Sequence, residues 1–187
     1  MSLFSKISIL LGILLLLFGA YLVFERYNPK RLEFEKIEQS ASFASLLYPQ
    51  KITIPALSIE LGVYPAKITN NSWEATTRGV SYLTSSPVPG EFGNSILYGH
   101  NFPNLLGKLP KIKPGDEIVV TLDSGKEKTF VVKYTQVVIP SQTDILKSTG
   151  DTRITLYTCT GFLDSKRFVA VALLKEDLAQ KAPNLNF

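Results

Sequence analysis

Three side chains of this sequence could together carry out nucleophilic acyl chemistry: Cys159, His100 and Arg167. The chain has 187 residues with a single cysteine and a single histidine. A thiolate attacks carbonyl carbons, an imidazole moves protons to and from the reacting groups, and a permanently charged guanidinium stabilises an oxyanion. Each residue alone also has a plain structural interpretation, because single Cys and His residues are commonly buried and a strand-start Arg commonly lies in solvent. The chemistry therefore depends on whether the fold brings them together.

All three residues are predicted at strand ends. Residues 154–159 form a β-type run that ends at Cys159 and is bounded by turn residues on both sides. His100 directly follows an apolar run over 94–98, and Arg167 opens another over 167–174. A thiol at the end of a strand is held rigidly beside an opening. The three side chains could thus converge at one rim of a small barrel.

Many short strands separated by closely spaced turns fill the rest of the chain. They are predicted at 52–55, 58–64, 94–98, 117–122, 129–139, 152–159 and 167–174. Asp123, Ser124 and Gly125 indicate a hairpin between two of them, and a short helix is expected near 104–109. This pattern predicts a mainly β fold, either a closed barrel or a sandwich.

An uncharged apolar stretch covers residues 7–24. In a helix it reaches about 27 Å, close to the hydrocarbon thickness of a bilayer. We expect an uncleaved transmembrane anchor over 1–27, because the apolar region is longer than that of a signal peptide. After the anchor we expect a partly helical stalk over 28–50, a catalytic domain over 51–175 and a C-terminal tail over 176–187. The stalk is expected to space the domain from the membrane, with a lid over the site as the alternative.

Composition argues against several other classes of protein. The net charge is +4 and the basic residues are scattered, so the sequence has no stripe to neutralise phosphates. A single Cys excludes an internal disulfide and leaves too few soft ligands for zinc. Five acidic residues could in principle bind calcium: Asp116, Glu117, Asp123, Asp144 and Asp151. They fall mostly in turns and do not have the spacing of a calcium-binding loop, so we interpret them as solvated. No cofactor is therefore expected, and calcium binding is unsupported.

The motifs around these residues resemble those of the sortases, a family of membrane-anchored cysteine transpeptidases. The sequence Thr-Leu-Tyr-Thr-Cys at 155–159 fits that family's Thr-Leu-x-Thr-Cys signature. Pro-Gly-Glu-Phe-Gly-Asn at 89–94 leads into Tyr-Gly-His-Asn at 98–101, and Lys-Pro-Gly-Asp-Glu-Ile stands at 113–118. Arg167 in the strand after Cys159 completes the pattern, and the similarity runs from about residue 52 to 174.

The resemblance implies a fold and an activity. The fold would be a closed eight-stranded β-barrel with short helices, preceded by the transmembrane helix. The enzyme would cut a sorting signal such as Leu-Pro-x-Thr-Gly in secreted proteins and join the acyl end to an amine of the cell wall or another protein. Cys159 would be the nucleophile, His100 the proton carrier and Arg167 the group that holds the oxyanion or substrate backbone. Thr158, Thr160 and Asn101 would bind substrate, with an ordinary strand residue as the equal alternative for Thr158.

Topology and class follow from the same resemblance. Only Lys6 precedes the apolar stretch, whereas Arg26, Lys30 and Arg31 follow it. Counting these charges favours a topology in which the chain after the stretch lies in the cytoplasm. The family places its catalytic domain outside the cell membrane, and long domains translocate largely regardless of such charges. A housekeeping or class D/E-like enzyme is expected rather than a pilin polymerase. Two alternatives are an anchored barrel that binds without catalysis and a cysteine hydrolase that uses water as the acceptor.

Overall fold

The computed structural model describes residues 3–35, 47–69 and 72–177. Helix α1, Leu3–Arg26, opens the chain. Within it, Ser5–Arg26 is long and apolar enough to cross a membrane, with a mean hydropathy of 2.7 and none of the span buried against the rest of the protein. The apolar N-terminal helix predicted from the sequence is therefore present.

Short strands and single-turn 3₁₀ helices make up the rest of the described chain. The strands are β1 Pro49–Ile54, β2 Ile59–Ala66, β3 Ile68–Thr69, β4 Ser72–Trp73, β5 Val80–Leu83, β6 Gly93–Gly99, β7 Glu117–Leu122, β8 Glu127–Val138, β9 Thr152–Thr160 and β10 Lys166–Leu174. The 3₁₀ helices are Pro29–Leu32, Pro55–Leu57, Leu106–Lys111, Thr143–Leu146 and Phe162–Asp164.

Eight of the strands in the described residues close into a barrel, in the order β1-β2-β5-β6-β9-β10-β8-β7. Strands β6 and β9 run parallel, whereas β9 and β10 run antiparallel. This confirms the mainly β, closed eight-stranded barrel predicted from the sequence. The hairpin between β7 and β8 is confirmed as well, and Gly125 there has a φ of 77°, which glycine adopts without strain.

The central strands β6, β9 and β10 are buried on both faces. Because side chains alternate along a strand, one set points into the barrel and the other points outward. Leu97, Leu156 and Ala170 belong to an apolar cluster inside the barrel. Tyr98, Tyr157 and Val169 belong to a second cluster on the outside, which we call the outer cluster. The near-continuous apolar character of these strands is explained by this two-sided burial.

The segment after helix α1 covers part of that outer face. We call residues 29–35 the strap. Its Leu32 is fully buried and its Phe34 is 4% exposed, and both belong to the outer cluster. Asn28 caps the turn Pro29–Leu32 by accepting a hydrogen bond from the Lys30 amide, and the backbone then becomes extended at Glu33. The sequence predicts a partly helical stalk here. One turn of 3₁₀ helix is observed, and residues 36–46 lie outside the described ranges.

The short helix predicted near 104–109 is present as the 3₁₀ helix Leu106–Lys111. Leu106 and Leu109 are both fully buried in the cluster inside the barrel. Pro110 lies within this element, and a proline cannot donate the backbone hydrogen bond that a longer α-helix needs. The Leu106 amide donates to the His100 carbonyl at 3.1 Å, which ties this element to the loop that follows His100.

Candidate active site

Strand register brings Cys159, Arg167 and His100 to one rim of the barrel. Cys159 and Arg167 are direct partners across the antiparallel pair of β9 and β10. Gly99 pairs with Thr158 across the parallel strands β6 and β9. His100 directly follows Gly99 and Cys159 directly follows Thr158, so the two residues lie at the same end of neighbouring strands.

Alternation along β9 and β10 also puts the Cys159 and Arg167 side chains on the same face. Cys159 is two residues after Tyr157, and Arg167 is two residues before Val169. His100 follows Tyr98 by two residues. Tyr157, Val169, Tyr98 and Cys159 itself all belong to the outer cluster. The thiol and the guanidinium therefore belong to the outward-facing set at one end of the sheet, and His100 is the first residue after β6 at the same end.

Cys159 is held as a neutral thiol. It is 3% exposed, and its Sγ donates a hydrogen bond to the backbone carbonyl oxygen of Arg31 at 2.7 Å. Burial raises the pKa of Cys159 to about 12, although the charges of Arg167 and Arg31 pull that pKa down. At neutral pH the sulfur in this conformation is consequently a poor nucleophile.

His100 is also held in its neutral form. It is 3% exposed, and its ring stacks on Phe102 with the centroids 4.9 Å apart. Burial lowers the pKa of His100, and the nearby Asp164 carboxylate acts in the opposite direction. Phe102 in turn contacts the Tyr27 ring at 5.1 Å, and the Arg26 guanidinium lies over it at 5.5 Å. The last residues of α1 and the one after it thus lie against the loop that carries His100.

Arg167 is buried with part of its hydrogen-bonding capacity unused. One terminal nitrogen donates to the backbone carbonyls of Asp164 and Lys166, and the other donates to the carbonyl of Glu33 at 2.8 Å. Its Nε is buried and has no hydrogen-bond partner among the described residues. An unpaired buried N–H is costly, so this nitrogen is a hydrogen-bond donor that the described residues leave unsatisfied.

Asp164, which the sequence did not indicate, links the strap to the rim. Its carboxylate accepts hydrogen bonds from the Arg31 guanidinium and the Asn101 amide, each at 2.8 Å. Asp164 belongs to the 3₁₀ turn Phe162–Asp164 and has a φ of 58°, in the left-handed region. The one sequence feature that could have indicated Asp164 is its position in the short loop between Cys159 and Arg167. Its partner Arg31 is 133 residues away in sequence.

The residues predicted to bind substrate are placed as follows. The Thr158 hydroxyl is fully buried and donates to the Gly99 carbonyl at 2.7 Å, which ties β9 to β6. Thr160 is half-buried at the end of β9, where it pairs with Lys166. Asn101 donates to Asp164 rather than pointing freely into a groove. Substrate binding by these three residues stays a prediction.

An aromatic floor continues the site along the outer face. Tyr98 and Tyr157 stack with centroids 5.3 Å apart, and Trp73 packs edge-on against Tyr98. Phe34 of the strap contacts Tyr157 edge-on at 5.0 Å, and the Tyr157 hydroxyl donates to the Leu32 carbonyl. Trp73 and Phe34 were not among the residues predicted for the site. In residues 3–35, 47–69 and 72–177, no group of three or more His, Cys, Asp or Glu side chains could hold a metal ion.

A closed barrel with a thiol, an imidazole and a guanidinium at one rim is the arrangement expected of β-barrel cysteine transpeptidases. A family model described as the Sortase domain matches residues 52–175, which is the whole barrel except the first residues of β1. The chain belongs to the sortase family.

Known relatives agree with this membership. The chain is 32% identical over 142 residues to Sortase A of Listeria monocytogenes, a match that covers 73% of this chain and 61% of that protein. A crystal structure of sortase A from the same organism has a TM-score of 0.56 at 30% identity, covering 67% of this chain and 85% of that one.

Two further structures share the fold. The lid mutant of sortase A from Corynebacterium diphtheriae has a TM-score of 0.58 at 27% identity, with 66% of this chain and 68% of that chain covered. Sortase C of Clostridium perfringens, solved with a C-terminal cell wall sorting motif, has a TM-score of 0.58 at 23% identity and covers 74% and 78%.

Proposed function

We propose that this chain is a membrane-anchored cysteine transpeptidase. It cleaves an LPxTG-like sorting signal through a thioacyl intermediate on Cys159 and transfers the acyl group to an amine of the cell envelope. The observation that carries the proposal is the register of β6, β9 and β10, which brings Cys159, His100 and Arg167 to one rim of the barrel. Membership of the sortase family supports the same reaction.

The reaction needs two acyl transfers that share one proton carrier. In the first, the Cys159 thiol proton passes to His100, a C–S bond forms at the scissile carbonyl, and the C–N bond breaks as His100 protonates the leaving amine. In the second, the incoming amine attacks the thioester and gives its proton to His100. The C–S bond then breaks, and the sulfur takes the proton back. Both groups start neutral, in agreement with the raised pKa of Cys159 and the lowered pKa of His100.

Arg167 is suited to stabilise the oxyanion that forms in each step. Its Nε has no partner among the described residues, and a second nitrogen bonds only to the strap carbonyl at Glu33. Because a guanidinium stays charged at all working pH values, it can bind an oxyanion without changing protonation. Thr160, whose backbone lies at the end of β9, is the candidate for an additional N–H donor.

The location follows from helix α1. A span over Ser5–Arg26 would anchor the chain in the cell membrane, with the barrel on the extracytoplasmic side where sorting-signal proteins are presented. The contacts of Tyr27 and Arg26 with Phe102 would hold the site near the membrane surface.

The decisive experiment is product analysis with a panel of pentapeptide sorting signals, with and without an added amine. A transpeptidase gives a peptide–amine conjugate in the presence of the amine. Free acid as the sole product at high amine concentration would instead establish a hydrolase. Absence of any cleavage, with a correctly folded protein and an alkylatable Cys159, would favour a non-catalytic binding protein. The matched control is Cys159→Ala, which should cleave nothing.

A further inference from the structure

Large apolar side chains are exposed at the rim of the barrel that carries Cys159. Phe162 is 85% exposed and Leu163 is 56% exposed, and both lie in the 3₁₀ turn that follows β9. Val137 and Ile139 are also exposed, at the end of β8, where that strand pairs with the start of β10. We call these four residues the apolar rim. Apolar side chains grouped on a surface in this way mark a face that another molecule covers.

The backbone of the loop between β9 and β10 keeps Phe162 and Leu163 directed outward. Leu163 has a φ of 49° and Asp164 a φ of 58°, both in the left-handed region that residues other than glycine seldom adopt. The Asp164 amide donates to the Gly161 carbonyl, and the Asp164 carboxylate accepts from Arg31. A loop bonded in this conformation holds two large apolar side chains in solvent, and neither belongs to an apolar cluster of the barrel.

Helix α1 ends beside the same rim. None of its span over Ser5–Arg26 is buried, so the helix leaves the barrel without packing against it. Its end is nevertheless held at the site, because the Tyr27 ring contacts Phe102 and the Arg26 guanidinium lies over the Phe102 ring. The span therefore departs from the rim that carries the exposed apolar side chains.

The chain between the span and the loop is short. Arg31 lies five positions after Arg26, and its guanidinium bonds to the Asp164 carboxylate at 2.8 Å. Five residues of chain extend over at most about 18 Å, and the hydrogen-bonded turns at Asn28 shorten this stretch. A bilayer that holds α1 would consequently have its surface close to Phe162 and Leu163.

The charges beside the loop also suit a lipid surface. Lys30 belongs to the turn that follows α1, Lys166 opens β10 directly after the loop, and both side chains are exposed. The Asp164 carboxylate between them is offset by its ion pair with Arg31. Exposed Phe and Leu side chains flanked by lysines are typical of protein surfaces that enter the headgroup layer of a membrane.

We propose that the apolar rim is a membrane-docking surface. Phe162 and Leu163 enter the interfacial layer of the bilayer that α1 spans, and Lys30 and Lys166 lie among the lipid headgroups. This docking rests on the proposed location of α1 in the cell membrane and is independent of the transpeptidase reaction. It holds the rim with Cys159 against the bilayer, so the site receives peptides that lie close to the membrane surface.

The test uses the full chain in vesicles of phosphatidylcholine and phosphatidylglycerol with brominated acyl chains, which quench tryptophan emission on contact. Phe162→Trp puts a reporter on the loop. Phe92→Trp is the matched control, because Phe92 is 70% exposed and directly precedes β6, at the opposite end of the barrel. The unaltered chain, whose single tryptophan is the buried Trp73, gives the background emission. Flotation with the vesicles verifies anchoring, and circular dichroism verifies folding.

The two reporters should differ clearly. An interfacial side chain enters the boundary of the acyl chains, so we expect quenching of about half of the emission that Phe162→Trp adds, against about a tenth for Phe92→Trp. Equal quenching of the two reporters, or none in Phe162→Trp, would overturn the proposal. Emission of Phe162→Trp that shifts to shorter wavelength without quenching would put a protein surface, such as a second copy of the chain, over the loop. That result would overturn the proposal as well.

Docking and the proposed reaction can fail separately. The quenching is measured without substrate and can be repeated in a Cys159→Ala background, where no acyl transfer occurs. If no sorting peptide is cleaved by the unaltered chain, the proposed function fails, and the quenching still decides whether the loop meets the membrane. If the peptide is cleaved but Phe162→Trp is not quenched, the reaction stands and the docking surface is rejected.

Discussion

The Sγ of Cys159 lies 2.7 Å from the backbone carbonyl oxygen of Arg31 and donates a hydrogen bond to it. These residues are separated by 128 positions in sequence, so the contact joins the end of β9 to the turn that follows helix α1. The sulfur is buried in this position, and burial raises the pKa of Cys159 to about 12. In the described conformation Cys159, His100 and Arg167 thus lie at one rim, and the chain itself covers the sulfur.

The pH dependence of thiol alkylation reports this covered state. Because burial raises the pKa of Cys159 to about 12, the thiolate fraction is small at neutral pH and increases as the pH rises. We expect the alkylation rate of the full chain to increase about tenfold per pH unit between pH 7 and 10, without a plateau. A plateau above about pH 9, as for an ordinary exposed cysteine, would show that the sulfur is not buried in solution.

Asp164→Asn should shift this profile toward lower pH. The Asp164 carboxylate raises the pKa of both Cys159 and His100, and it also holds Arg31 of the strap. Neutralising Asp164 lowers the pKa of Cys159, which favours the reactive thiolate, and lowers the pKa of His100, which favours the unprotonated imidazole. It also removes the ion pair with Arg31, which weakens the covering of the sulfur by the strap. The measurement is the alkylation profile from pH 6 to 10. A profile that coincides with that of the unaltered protein would contradict a linking role for Asp164.

Arg167→Lys tests whether the planar fork of the guanidinium is needed. Lysine keeps the positive charge but cannot replace the separate donors that reach Asp164, Lys166 and Glu33 while Nε stays available. Loss of a single oxyanion donor reduces kcat by about 10²–10³-fold in other acyl-transfer enzymes, and we expect a loss of that order in peptide cleavage. Retention of more than half of the activity in Arg167→Lys would remove Arg167 from oxyanion binding.

Amide hydrogen exchange should distinguish the strap from the barrel. The strap amides of Arg31 and Glu33 bond within one 3₁₀ turn, whereas those of β9 and β10 bond within a strand buried on both faces. Local opening needs less free energy than global unfolding, so the strap should exchange faster than β9 and β10. Exchange at equal rates in all three segments would mean that the strap opens only when the barrel unfolds.

Much of this arrangement could be predicted from the sequence. The turn residues around 154–159 gave a strand ending at Cys159, and the barrel and its β7–β8 hairpin are confirmed. Alternation along β9 and β10 then determines which side chains face outward. The motifs around His100, Cys159 and Arg167 identified the family that the Sortase domain match shows.

The strap could not be predicted in the same way. Leu32 and Phe34 are two apolar residues in an otherwise polar stretch, and the sequence predicts no more for it than a partly helical stalk. One 3₁₀ turn followed by extended backbone from Glu33 lets Leu32 and Phe34 pack in the outer cluster, and that surface exists only after the barrel has formed. The pairing of Asp164 with Arg31 is equally nonlocal. Nothing in the residues around either one indicates the other.

The most direct test of the account is intact-mass analysis of the full chain after mixing with a sorting peptide that it cleaves. We predict an adduct on Cys159 with the mass of the amino-terminal peptide fragment, which disappears when an amine is added. The adduct should be absent from Cys159→Ala and should form slowly, if the chain is folded, in His100→Gln. Cleavage of the same peptide by folded Cys159→Ala at the unaltered rate would contradict the account.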